Sequence, residues 1–164
     1  RGINYRGVIY AGLMLTDKGP KIIEYNCRFG DPECQAIMPL MGQEFAQIIN
    51  FCSLGDLKSA PKLSERDGVS VCIVAAAEGY PFSPRSGDII KIPKDSDEYT
   101  QVFHAGTKKD LNGEFITSGG RVLSVVAQAT NFDAAFKKAY KKIKSISFAG
   151  ITYRLDIGHQ IRKS

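Results

Sequence analysis

Apolar residues along this chain come in short runs broken by turn signals. Val8–Leu15 (VIYAGLML) is apolar and β-prone, Asp17-Lys18-Gly19-Pro20 reads as a turn, and Lys21–Asn26 follows as a second strand. The pair predicts a hairpin. A helix is expected to begin near Pro32, with Asp31 as its cap and Glu33 in its first turn, and Pro39 ends or kinks it. A second helix over about Gln43–Ser53 sets Phe45, Ile48, Ile49 and Cys52 on one stripe, and Gly55 stops it. Asp56–Gly68 (DLKSAPKLSERDG) is polar and contains a proline, so it divides a module over residues 1–60 from one over 61–164. Val69–Ala77 has a buried-strand pattern. Turn-rich text at Gly79-Tyr80-Pro81 and Pro84–Gly87 leads into short strands at Ile89–Ile92, Gln101–Ala105, Glu114–Thr117 and Arg121–Ala129. Lys94–Tyr99 and Lys108–Gly113 read as exposed loops. The clearest helix follows a cap at Thr130 or Asn131, with Phe132, Ala135, Phe136, Ala139, Tyr140 and Ile143 as its apolar stripe. Ile151–Tyr153 is a last short strand. Short strands and a few helices, without a repeat, make the fold class α+β.

The chain has 164 residues, 43% hydrophobic and 24% charged, an ordinary globular composition. No apolar run approaches the roughly 20 residues of a membrane span, and RGINYRG lacks the apolar core of a secretory signal. The net charge of +5 comes largely from Lys137, Lys138, Lys141, Lys142 and Lys144, with Arg162 and Lys163. The lysine run reads as a solvated helix face, because the aromatic or glycine-rich signatures of a nucleic-acid surface do not accompany it. Neither nucleic acid nor membrane is expected as a partner. Cys27, Cys34, Cys52 and Cys72 lack zinc spacing and read as reduced thiols of a cytoplasmic protein.

The richest chemistry lies in Ile22–Glu33 (IIEYNCRFGDPE). Residues two apart in a strand share a face, so Glu24 and Asn26 present two oxygen ligands side by side. Such a pair suits a hard cation such as Mg²⁺, which keeps water and phosphate as its other ligands. Arg28, close behind, can grip a phosphate or carboxylate through its planar fork. Plainer readings stand beside these: a solvated strand end for Glu24 and Asn26, and an ion pair with Asp31 or Glu33 for Arg28. His104 and Arg121 are candidate substrate contacts. Otherwise His104 is a structural histidine, and Gly119-Gly120 makes a tight turn into the strand. Arg154 and Asp156 read as a structural ion pair, and His159 as a surface residue.

VIYAGLML, IIEYNCRFGDPE, VFHAGTK, ITSGGRVL and YRLDIG occur in that order. Together they resemble the C-terminal part of the phosphoribosylamine–glycine ligase (glycinamide ribonucleotide synthetase) family of the ATP-grasp superfamily, from about Tyr5 to Gly158. The resemblance implies the end of an ATP-grasp domain, then a small antiparallel-sheet domain with one long helix, half-barrel and rudimentary single-hybrid-like. It implies ligation of phosphoribosylamine to glycine, with ATP spent through glycyl phosphate and Mg²⁺ or Mn²⁺ as cofactor. Carried over by position, it makes Glu24 and Asn26 metal ligands and puts Arg28 at the phosphates. Arg28 and Asp31 take catalytic roles, and Gly30 and Glu33 shape the substrate pocket. Many ATP-grasp enzymes have a further acid about twelve residues before the glutamate. Here that position is Gly12, so two protein ligands are expected. Cys34, Ser118 and Leu155 depart from the usual threonine, asparagine and lysine.

The family's N-terminal domain, glycine-rich lid and most of its adenine wall do not occur in this sequence, and no P-loop appears. The expectation is a fragment of a longer ligase, preceded by about 260 residues and inactive alone. Its bared sheet is expected to self-associate or to pair with the missing part. The alternative is a non-catalytic scaffold or interaction module derived from that enzyme.

Overall fold

The computed structural model describes residues 2–94 and 97–161; Arg1, the loop residues Asp95 and Ser96, and the basic pair Arg162 and Lys163 lie outside the described residues. Short helices and antiparallel sheets make the fold α+β. The chain divides into two units, Arg1–Arg66 and Asp67–Ser164.

In the first unit, β1 (Tyr10–Thr16) and β2 (Gly19–Asn26) form an antiparallel hairpin. Its two-residue turn, Asp17-Lys18, is held by Thr16, whose hydroxyl donates to the Gly19 carbonyl at 2.7 Å and accepts from the Lys18 N–H at 3.2 Å. The ladder is interrupted once. Leu13 pairs with Ile22 but Gly12 pairs with Glu24, so Ile23 is an extra residue and a β-bulge. Cross-strand partners share a face. The bulge therefore sets Glu24 and Asn26 opposite Gly12 and Tyr10, and it sends Ile22 to the side of Leu13.

α1 (Glu33–Ile37) starts after Pro32 with no side-chain cap. The expected cap, Asp31, accepts instead from Gln35 Nε2 at 3.0 Å. The Cys34 N–H that such a cap would serve is already taken by the Gly30 carbonyl at 2.9 Å. Pro39 lies in the 3-10 turn Met38–Leu40 that ends this helix. α2 (Phe45–Leu54) stops at Gly55, whose φ of 79° lets its N–H turn back to the Cys52 carbonyl. Phe45, Ile48, Ile49 and Cys52 do form a stripe on α2, yet none of them is buried. Among the described residues of this unit, Gly12 and Gly30 are the buried positions. Leu15, Ile23 and Tyr25 of the hairpin are 82%, 62% and 64% exposed.

The second unit has a core. β3 (Val69–Ala76), β7 (Arg121–Ala129) and β4 (Thr100–His104) form an antiparallel sheet in the order β3-β7-β4, while β5 (Thr107–Lys109) pairs with β6 (Phe115–Thr117). Val122 to Ala127 of β7 are buried without alternation, as a strand covered on both faces requires. α3 (Phe132–Ser145) supplies Ala135, Phe136, Ala139 and Ile143 to this core. Asn131 caps it, its side chain accepting from the Ala134 N–H at 2.9 Å. The lysines take the outer face, where Lys138 Nζ lies 4.6 Å from the centre of the Tyr99 ring and Lys142 Nζ donates to the Pro93 carbonyl.

Three expectations change in this unit. Ile89–Ile92 forms only the single bridges Ile89–Ile116 and Lys91–Ser147, and Ile151–Tyr153 only the bridge Thr152–Ala76. These segments follow a neighbour for one residue pair and leave, so no ladder grows. The loop expected from Lys108 begins instead inside β5, because Lys108 and Lys109 pair with Ile116 and Phe115.

Arg154 and Asp156 form the expected ion pair, with Nε donating to Oδ1 at 2.8 Å. That contact holds the Asp156 pKa down at about 2, from an ordinary 3.8. A depressed carboxylate stabilises the fold fully above its ordinary pKa and loses the effect as pH falls through the folded value. The pair's contribution is thus present above pH 3.8 and lost toward pH 2. Carboxyl NMR should place the Asp156 midpoint near 2 and, in Arg154→Ala, return it toward 3.8. Ile143 is fully buried, so Ile143→Ala should cost about 2–5 kcal/mol in urea denaturation. Leu15→Ala, at an exposed hairpin position, should stay within about 0.5 kcal/mol.

Candidate functional site

The polar face of the hairpin carries the candidate site. Asn26 Nδ2 donates to Glu24 Oε1 at 2.9 Å, which leaves Glu24 Oε2 and Asn26 Oδ1 as neighbouring oxygen donors. That donor set fits a hard divalent cation. Among the described residues no three His, Cys, Asp or Glu side chains gather closely enough to hold a metal ion. A cation here would take two protein ligands and complete its shell with water and phosphate oxygens.

Gly12 explains why a further acid is absent. It lies directly across from Glu24, and a Cβ there would sit 3.0 Å from Glu24 Cγ and 3.7 Å from Tyr10 Cε1. A side chain at position 12 would press on Glu24, which would have to give by a few tenths of an ångström. Gly30 repeats the arrangement in the loop after β2: a Cβ there would run into the Glu33 carboxylate, which folds back over the glycine. Two glutamate side chains thus lie over two buried α-carbons that carry no side chain.

Arg28 is exposed, and its Nη1 donates to the neighbouring Phe29 carbonyl at 2.7 Å. Its planar guanidinium carries the donors that an anion needs. Asp31 is held by Gln35, whose buried Oε1 has no hydrogen-bond partner among the described residues.

The register also brings in Tyr10, which the sequence reading missed. It pairs with Asn26, and its ring lies over Gly12. The Glu33 carboxylate raises the Tyr10 pKa, chiefly by its charge; burial, a hydrogen bond to Glu33 and the charge of Glu24 add to the rise. The one signal in the sequence was position: Tyr10 is two residues before Gly12 on the same strand.

Within the second unit, His104 and Arg121 lie at one end of the three-stranded sheet. His104 pairs with Leu123, and the Gly106 N–H donates to the Arg121 carbonyl at 2.8 Å. His104 Nδ1 is 3.0 Å from Thr107 Oγ1, and its ring is 4.3 Å from that of Phe115. Arg85, also missed, joins Glu78 and Asp88 nearby at 2.6 and 2.9 Å. The turn at Gly120 is covered by the Tyr80 ring, which leaves no room there for a Cβ.

Two family models match the chain: "Phosphoribosylglycinamide synthetase, C domain" over residues 70–160 and "Phosphoribosylglycinamide synthetase, ATP-grasp (A) domain" over residues 1–34. A phosphoribosylamine–glycine ligase of Nostoc sp. is 45% identical over 163 residues, 98% of this chain and 38% of that protein. One from Caldanaerobacter subterraneus is 48% identical over 157 residues, 95% of this chain and 37% of that protein. The chain thus spans less than two fifths of the length of these curated relatives. The crystal structure of the Thermotoga maritima phosphoribosylamine–glycine ligase superposes with a TM-score of 0.82 at 37% identity, over 94% of this chain and 38% of that one. The biotin carboxylase domain of Hydrogenobacter thermophilus 2-oxoglutarate carboxylase, solved with MgADP and bicarbonate, shares the fold with a TM-score of 0.64 at 19% identity, over 91% of this chain and 33% of that one.

Gly12→Asp tests the steric account. The new side chain should displace Glu24 instead of adding a ligand, and Mn²⁺ affinity should fall by about tenfold or more in a titration followed by electron paramagnetic resonance. A rise in affinity would show that position 12 has room for a ligand.

Proposed function

The chain belongs to the phosphoribosylglycinamide synthetase family, and on that premise we propose that it is the part of a phosphoribosylamine–glycine ligase that holds the metal and faces the phosphates. The reaction is that of purine synthesis. The glycine carboxylate takes the γ-phosphoryl group of ATP, giving glycyl phosphate and ADP. The amine of phosphoribosylamine then attacks the acyl carbon, phosphate leaves, and glycinamide ribonucleotide forms. The observation that carries this reading is the oriented oxygen pair of Glu24 and Asn26, with the exposed guanidinium of Arg28 two residues behind it.

In this reading Glu24 and Asn26 hold Mg²⁺ or Mn²⁺, which supplies charge neutralisation on the ATP phosphates. Arg28 grips phosphate oxygens through its fork and stabilises the charge that develops on transfer. Asp31, held by Gln35, takes a catalytic role, and Glu33, folded over Gly30, shapes the substrate pocket. His104 and Arg121, in the second unit, are proposed as substrate contacts. The bare apolar face of the hairpin is covered by the rest of a longer polypeptide working in the cytoplasm. A 164-residue chain that stays a monomer with its hairpin exposed at high concentration would count against that last point.

The test is a ligase assay on the longer polypeptide that carries this chain, supplied with ATP, glycine and phosphoribosylamine. ADP, phosphate and glycinamide ribonucleotide should form in equal amounts. Glu24→Ala should lower kcat/KM by at least about 100-fold, since even the partners of metal ligands cost that order. Arg28→Ala should lower kcat by about 10²–10³-fold. Turnover unchanged in Glu24→Ala would sink the assignment.

A further inference from the structure

We propose that the outer face of α3 is a docking surface for an acidic segment of another protein, which sets carboxylates on Lys137, Lys141 and Lys144 and one large apolar side chain on Leu155. The inference lies wholly in the second unit and does not depend on the metal-site reading. It starts from the way the lysines of the helix divide. Lys138 lies over the Tyr99 ring and Lys142 donates to the Pro93 carbonyl, so both rest against the protein's own surface. Lys137, Lys141 and Lys144 are exposed. Their spacing of four and then three residues puts them on one stripe, and no acid stands between Ala134 and Ser145. The stripe covers about 10 Å of helix axis, which an extended segment matches with about three residues.

The stripe borders two grooves. The one beside Lys138 holds Asp97 and Thr100, and Asp97 already lies within electrostatic reach of Lys138 and Lys141. The other, of about 700 Å³, is lined by Lys137, Lys141 and Lys144 together with Tyr140, Leu155 and Asp133. Three cations thus face one acid there, over an apolar floor. The floor is fixed in place. Tyr140 donates its hydroxyl to the Arg154 carbonyl at 2.9 Å, and the Arg154 side chain is paired with Asp156. Tyr153 and Ile157 pack on the core, while Leu155 between them is 70% exposed. An apolar side chain held outward among lysines suits a partner that brings both carboxylates and a hydrophobic anchor. A nucleic acid fits less well, because strand binders use open aromatic faces and one face of the Tyr140 ring is stacked on Phe136. A lipid surface fits less well, because the apolar side of α3 is buried in the core and cannot insert.

The test is fluorescence anisotropy on the full 164-residue chain, with thermal melting as the control for folding. The probes are a labelled glutamate peptide with one central leucine, the same peptide with serine in place of the leucine, an oligothymidylate, and vesicles containing phosphatidylserine. The leucine peptide should bind, less tightly as salt rises, and at least about fivefold more tightly than the serine peptide. Lys137→Glu combined with Lys141→Glu should weaken it by about tenfold or more. Lys137→Gln with Lys141→Gln should act in the same direction, and it replaces the reversed pair if that variant melts early. Leu155→Ser should weaken the leucine peptide by about fivefold and leave the serine peptide unchanged. A leucine peptide that does not bind, equal affinity for the two peptides, or binding untouched by Leu155→Ser would overturn the proposal. So would tighter binding of the oligothymidylate or the vesicles that is lost in the lysine variants.

Discussion

A charged side chain can lie against a β-hairpin only where the opposite strand leaves it room. At this site the room comes from two α-carbons without side chains. Glu24 lies over Gly12, and Glu33 lies over Gly30. A Cβ at Gly30 would run into the Glu33 carboxylate, and one at Gly12 would press on Cγ of the same Glu24 side chain that makes the oxygen pair with Asn26. The loop, the short helix α1 and the ring of Tyr10 are all arranged around that space. The same constraint bears on the proposed two-ligand cation site, since an acid opposite Glu24 would crowd the Glu24 side chain.

The two units are built on different physics. In the second, β7 is buried along Val122–Ala127 and α3 closes one face of its sheet with Phe136 and Ile143. Burial of such side chains contributes about 1.5–3 kcal/mol each, and the unit carries its own core. In the first, no large apolar side chain of the hairpin is buried, and Leu13, Leu15, Ile22 and Tyr25 stand together on the face away from Glu24. A contiguous apolar face is unusual on a soluble surface and marks a place where another element packs. Chemistry and exposed apolar area thus occupy opposite faces of one hairpin, divided by the bulge at Ile23.

The sequence by itself determined which segments are strands and which are helices wherever the pattern was long. Arg121–Ala129 and the helix after Asn131 needed only their apolar spacing and a capping side chain, because local periodicity and local hydrogen bonds decide them. It also placed Glu24 and Asn26 on one face, since residues two apart on a strand share a face whatever the strand pairs with. What it could not determine was register. The turn at Asp17-Lys18, continued as a regular ladder, would put Gly12 opposite Ile23; the bulge moves Glu24 there. A bulge depends on how two strands twist and pack, and no residue type announces it. Tyr10 entered the site by that shift alone. Asp31 turned from helix cap to side-chain partner of Gln35 because the backbone of Gly30 had already claimed the N–H. Short segments such as Ile89–Ile92 failed to become strands because a ladder needs a neighbour that stays alongside, and only the tertiary fold supplies one.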